Sequence, residues 1–260
     1  MAALGHQVAA EGSHHLAYEK VVLSPDTARA MGYAVSDEET AVKVSGRKGL
    51  GVKADDLVDA LVAKARAEID VRQDVREGDR RSDEERGRAS RDIAIGALRY
   101  FLLKFGRTKI ITFDMAEALA FTGETGPYIQ NAVVRARNIL AKLEEEGHRV
   151  QDLVPRALSL DLETLLGGEE GAEIWSLLML MARSDEIADQ AVRAEEVALV
   201  AKHAFAVAQA FHSYYQKPRY TVLHAESEDL RALRTLVVDA FVRQMAVLTS
   251  LVGIPVPERM

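Results

Sequence analysis

The chain contains no cysteine. That excludes disulfides and thiolate-ligated zinc or iron–sulfur centres, and it suits a cytoplasmic protein. Long hydrophobic runs are also missing. The longest apolar stretch, around Trp175 to Ala182, falls far short of the ~20 residues that cross a bilayer. No membrane partner is expected. The N-terminal MAALGHQVAAEG has neither a basic run nor a sustained apolar segment, so it does not read as a signal peptide. Several catalytic signatures are absent: G-x-x-x-x-G-K-[ST], H-E-x-x-H and G-x-S-x-G do not occur. The histidines at 6, 14, 15, 148, 203, 212 and 224 do not combine with carboxylates at metal-ligand spacing, and no metal site is expected. There is no internal repeat and no low-complexity tract.

What is present is a chain of 260 residues, 48% of them hydrophobic. That is enough for one large domain or two modest ones with a real core. The net charge of −7 makes it a poor generic polyanion binder, and no DNA partner is expected. The charge is uneven, however. Arg91, Arg99, Lys104, Arg107 and Lys109 face only Asp92 between residues 91 and 113. Arg135, Arg137 and Lys142 have no acid near them from Tyr128 to Lys142. From Glu144 to Glu196 fourteen acids stand against four Lys or Arg. One basic face on an acidic body could meet an RNA backbone, and an ordinary solvated surface is the alternative.

Periodicity points to a mainly helical chain. LAYEKVVL (16–23) and KIITF (109–113) read as short strands by their β-branched content. A helix is expected from Ala54, with Leu57, Leu61, Ala65 and Ile69 on one stripe. REGDRRSD (76–83) is a charged break. Ser82 and Glu85 match a capping box, and Asp114 with Glu117 resembles another cap. Further helices are expected at 126–146, 161–182, 184–216 with a break near Arg193, and 227–252.

Two stretches suggest ligands. KVSGRKGLGVK (43–53) carries glycines that let backbone N–H groups approach a phosphate and basic residues that neutralise it. A flexible basic loop without a ligand reads equally well. GETGPYIQ (123–130) is a Gly/Pro turn opening a helix, with Tyr128 and Gln130 on the first turn and Arg135 and Arg137 beyond. Aromatic, amide and arginine groups there suit an unpaired RNA base. The aromatics of FHSYY (211–215) read mostly as core.

The run from Leu98 to Ile139, above all GETGPYIQ, resembles the start of the helical tRNA-binding domain of arginyl-tRNA synthetases. EDLRALRTL and the ending LVGIPVPERM resemble that family's DALR anticodon-binding domain. SHHLAYEKVVL with VSGRKGLGVKADDL is similar to the end of its catalytic domain, where the KMSKS loop lies. The resemblance covers essentially the whole chain.

It implies a mainly α fold: a helical DALR bundle over 76–260, preceded by a small α/β remnant of a Rossmann-type catalytic domain over 1–75. It implies a KMSKS-like ATP loop at Lys43, Ser45, Gly46, Arg47 and Lys48, departing from the motif where Gly46 replaces the second lysine. It implies tRNA contacts at Tyr128, Tyr220 and Met260, and at Asn131 with a departure, since a second tyrosine is common there; Gln130 is added from the helix opening itself. Arg135 is added from the basic patch. The expected partner is the anticodon stem-loop of tRNA(Arg). ATP with Mg belongs to the complete family enzyme, and tight binding to this chain alone is not expected. No HIGH motif occurs, so this chain alone is expected not to aminoacylate. Two alternatives stay open. One is half of a split or mis-started ligase whose catalytic half is another chain. The other is a helical interaction protein with no RNA role.

Overall fold

The computed structural model describes residues 2–36, 38, 40–42, 53–75, 81–161, 163 and 166–260. Two strands, β1 (Val21–Leu23) and β2 (Ile111–Phe113), pair in parallel, with Val21 opposite Ile111 and Leu23 opposite Phe113. The helices are α1 (Gln7–Glu11), α2 (Pro25–Ala30), α3 (Ala54–Val75), α4 (Asp83–Leu103), α5 (Met115–Ala118), α6 (Gly126–Glu145), α7 (Val150–Leu158), α8 (Gly168–Ala182), α9 (Ser184–Ala194), α10 (Ala198–Tyr215) and α11 (Glu228–Leu251).

Local chemistry starts these helices where the sequence signals it. Ser82 and Glu85 form the full capping box at α4. The Asp114 carboxylate accepts the Glu117 N–H at 2.8 Å, opening α5. Ser227 accepts the Leu230 N–H at 3.2 Å, opening α11. The expected break near Arg193 falls at Glu195, which adopts a left-handed φ of 53° between α9 and α10.

Helix α7 was not expected, and Pro155 lies inside it. Proline removes an intrahelical hydrogen bond. The helix nonetheless forms, because Leu153 and Ala157 bury against Ala232 of α11. Helix α8 begins at Gly168 rather than 161.

Two main cores result. The larger is built from α6, α8, α10 and α11, with Ile129, Leu177, Phe211, Phe241 and Met245 at its centre. The second joins β1, α2, α3, α4, β2 and α5 through Leu23, Leu61, Ile93, Phe101 and Phe113. Helix α4 walls both: Tyr100 faces the first and Phe101 the second. The packing therefore does not divide at 75/76, where the charged break suggested a boundary. Leu61 and Ala65 of α3 share a core with Ile93 and Ala97 of α4.

Candidate nucleic-acid interface

The interface is built at the opening of α6. Thr125 caps it: its hydroxyl accepts the Tyr128 N–H at 3.3 Å and donates to the Ala120 carbonyl at 2.6 Å. Gly126 and Pro127 are buried, Gly126 directly against the α4 backbone at Gly96. This seats the first turn and leaves Tyr128 half-buried at the edge of the larger core.

The Tyr128 ring lies 4.7 Å from the His212 ring and 5.3 Å from the Phe205 ring, both on α10. Burial pushes its phenol pKa upward. Asn131, one turn on, is half-buried, and Arg135, two turns on, is exposed. The Arg135 guanidinium sits 6.0 Å over the Tyr215 ring. Tyr128, Asn131 and Arg135 thus share one helical stripe. Arg137 and Lys142 are exposed on the same helix, and none of these three cations forms an ion pair among the described residues. An arginine without an ion pair on the same face as a half-exposed aromatic ring can meet phosphate while the ring meets a base.

His212, inside the FHSYY stretch read mostly as core, is buried as expected, but its place beside Tyr128 was not foreseen, and Phe205 was not singled out by sequence. They lie seven residues apart on α10, a helical repeat that periodicity could have flagged. His212 is buried, and its Nε2 has no hydrogen-bond partner among the described residues. Desolvation lowers its pKa, and the Arg135 charge adds to this. A backbone hydrogen bond with Tyr128 opposes them.

Other expected contacts fall elsewhere. Gln130 is fully buried. Its Nε2 donates to the Asp92 carbonyl at 2.8 Å and the Pro255 carbonyl at 2.6 Å, tying α4 to the C-terminal tail. A base contact by Gln130 is therefore corrected to an interior tie. Tyr220 is only 3% exposed, its ring stacked 5.3 Å from Tyr214. Arg219 lies 5.0 Å over that ring. Tyr220 too is an interior residue, because its ring fills the gap between α10 and α11. Met260 is half-buried and packs on the second core, away from the Tyr128 cluster.

The charge pattern also needs one correction. Lys104 is buried, bonded to Glu117 at 3.1 Å and to the Glu124 carbonyl at 3.2 Å, and lies 4.7 Å over Phe101. It adds nothing to a basic surface. Lys43, Ser45, Gly46, Arg47 and Lys48 lie outside the described residues. No group of three metal-ligating side chains occurs among the described residues, and no helix there is long and apolar enough to cross a membrane.

His203 is the second buried imidazole. It meets the Ser184 hydroxyl at 3.0 Å, and that hydroxyl gives its proton to the Met181 carbonyl at 2.7 Å. Desolvation lowers the His203 pKa, and the nearby Arg183 charge adds to it. Both histidines therefore have folded pKa values below the ordinary 6.5. As pH falls below 6.5 the unfolded chain binds protons that the folded chain refuses. Their contribution to stability is full above pH 6.5 and falls as the medium is acidified into the lowered folded range. Thermal melts at stepwise pH should show this decline. It should flatten in His203→Asn and His212→Asn, and an unchanged slope in both variants would exclude these histidines as its source.

Comparison with known proteins now bears on this geometry. Residues 129–260 match the DALR anticodon binding domain family. The chain is similar to the arginine–tRNA ligase of Pyrococcus furiosus, 33% identical across 99% of this chain and 36% of the relative. It is similar in structure to the Thermus thermophilus arginyl-tRNA synthetase, with a TM-score of 0.72 and 27% identity over 100% of this chain and 37% of that one. The fold also resembles a Plasmodium falciparum arginyl-tRNA synthetase, with a TM-score of 0.59 and 18% identity over 80% of this chain and 34% of that one. The chain spans about a third of the length of the curated relatives it matches.

Proposed function

The chain belongs to the DALR anticodon binding domain family, and from this we propose that it is the tRNA-binding portion of an arginine–tRNA ligase. Its ligand is the anticodon stem-loop of tRNA(Arg). The observation that carries the reading is the α6 stripe: the half-buried Tyr128 ring, braced by His212 and Phe205, with Asn131 and the exposed Arg135 following it on the same face. The exposed part of the Tyr128 ring stacks on an unpaired base, and Arg135 binds a flanking phosphate. Asn131 contributes hydrogen bonds between them. ATP and Mg serve the complete ligase in this reading, and this chain's part is to hold and orient the tRNA.

Filter binding at fixed salt tests it. Tyr128→Ala should weaken tRNA(Arg) binding by about 1–3 kcal/mol, the usual worth of one aromatic–base stack. Because the ring also packs on α10, the variant's melting temperature is measured beside its affinity. Arg135→Gln should lower the salt dependence by about one released counterion. Equal affinity for tRNA(Arg) and an unrelated tRNA would remove the specific content of the proposal.

A further inference from the structure

The first turns of α4 and the C-terminal tail enclose a cavity of about 300 Å³. That is the lower end of the ~300–1,000 Å³ usual for ligand pockets, so it suits a ligand of about one nucleotide. Its two walls are fixed to each other. The buried Gln130 amide bonds the Asp92 carbonyl on one wall and the Pro255 carbonyl where the other begins. Ala89, Val256 and Pro257 give the cavity an apolar lining against which a flat ring can lie.

Asp92 lines the same cavity. It is half-buried, and its carboxylate takes no hydrogen bond or ion pair among the described residues. Burial pushes its pKa upward, and the Arg91 charge offsets this only in part. A carboxylate accepts and does not donate, and its two oxygens match two parallel N–H groups. Among the nucleobases guanine alone presents such a pair, N1–H beside N2–H, on its Watson–Crick edge. Adenine and cytosine set an amino group beside an acceptor nitrogen, and that nitrogen would face a carboxylate oxygen. Uracil sets a single N–H between two carbonyls.

The rim carries arginine. Arg88 and Arg259 are exposed there. Arg88 meets Glu84 only at 3.9 Å, and Arg259 makes no hydrogen bond or ion pair among the described residues. Glu85 and Glu258 also line the cavity. Glu85 is taken up by the Ser82 N–H at 2.7 Å, in the capping box of α4. Those Ser82 bonds hold the Glu85 carboxyl below its ordinary range, and the Arg259 and Arg88 charges add to this. Both guanidinium groups therefore stand near one side of the mouth, where they are available to a phosphate that the base carries.

We propose that this cavity binds guanine carrying a phosphate. Asp92 accepts the N1–H and N2–H of the base, Val256 and Pro257 support the ring, and Arg88 and Arg259 meet the phosphate. The site uses neither Tyr128 nor Arg135, so it does not rest on the tRNA-binding reading of α6. A free nucleotide and an unpaired guanine of an RNA strand offer the same groups.

Calorimetric titration of the full chain with GMP, AMP, CMP and guanosine tests the site. GMP should bind about tenfold or more tighter than AMP or CMP, the discrimination that one bidentate contact provides. Asp92→Asn turns one acceptor into a donor at constant size. It should abolish the preference for GMP over AMP and CMP without lowering the melting temperature. Arg88→Gln with Arg259→Gln should weaken GMP and leave guanosine unchanged. Short uridine oligonucleotides with and without one guanine then identify the source. Displacement of GMP only by the guanine-containing strand makes the ligand RNA, and displacement by neither makes it the free nucleotide. The proposal is overturned if millimolar GMP gives no binding heat, if AMP or CMP binds as tightly, or if Asp92→Asn keeps the preference for GMP.

Discussion

Replacing Arg234 with alanine is expected to cost about 3–5 kcal/mol of folding stability, the usual penalty for leaving one member of a buried ion pair alone. Arg234 is 2% exposed on α11. Its Nε and Nη2 donate side-on to the two Glu170 oxygens at 2.7 and 2.8 Å. Its Nη1 donates to the Thr221 carbonyl at 2.8 Å. The Tyr214 hydroxyl donates to the same carboxylate at 3.1 Å. One side chain thus joins α8, the 218–221 turn and the end of α10 to α11. Without it, the Glu170 carboxylate keeps a single phenol donor in a site that excludes most water. The geometry is bidentate, so lysine should not rescue it. Urea denaturation measures the loss. The double variant Arg234→Met/Glu170→Leu should be less damaged than Arg234→Ala, because it removes both charges and fills the space. A loss below about 1 kcal/mol for Arg234→Ala would mean that solvent reaches the pair and screens it.

The second large effect is steric. At Gly126 an added Cβ would lie 2.2 Å from the Gly96 carbonyl oxygen and 2.9 Å from the Ala97 nitrogen. These are backbone atoms in the middle of α4, which no side-chain rotation can move aside. Gly126→Ala must push α6 off α4, and its cost should reach or exceed the top of the ~1–3 kcal/mol usual for overpacking. Gly96→Ala meets the Gln130 side chain instead, with a Cβ 2.2 Å from Nε2. Gln130 is held by two carbonyls, so ejecting it costs those bonds. Gly126 also sets where Tyr128 stands. Gly126→Ala should therefore weaken tRNA binding along with stability, whereas Arg234→Ala should leave the affinity of the folded fraction intact. Denaturation and filter binding on the two variants separate these effects. A folded, fully stable Gly126→Ala protein would refute the close helix crossing.

The same contrast shows what could be read in advance. Caps were legible because they are local: Ser82 with Glu85 and Asp114 with Glu117 lie three residues apart, within one helical turn. The stripe through Leu57, Leu61 and Ala65 was legible because burial follows the helical period. Gln130 was not legible. Tyr128 and Gln130 are two residues apart on α6 and point to different sides, and which side is interior depends on Asp92 and Pro255, 38 and 125 residues away. Lys104 was read as surface charge, because nothing local announces that Glu117 and the Glu124 carbonyl will enclose its ammonium.

By itself the sequence determined the helical character, most of the helix limits, the uneven charge and the family resemblance, since each rests on short-range pattern or composition. The tertiary structure decided which polar side chains face inward. It made Gln130 and Tyr220 interior residues and left Tyr128, Asn131 and Arg135 as the accessible stripe. The physical reason is that burial is set by which helices cross. The crossing of α4 and α6 is fixed by two glycines thirty residues apart, whose bare backbones meet.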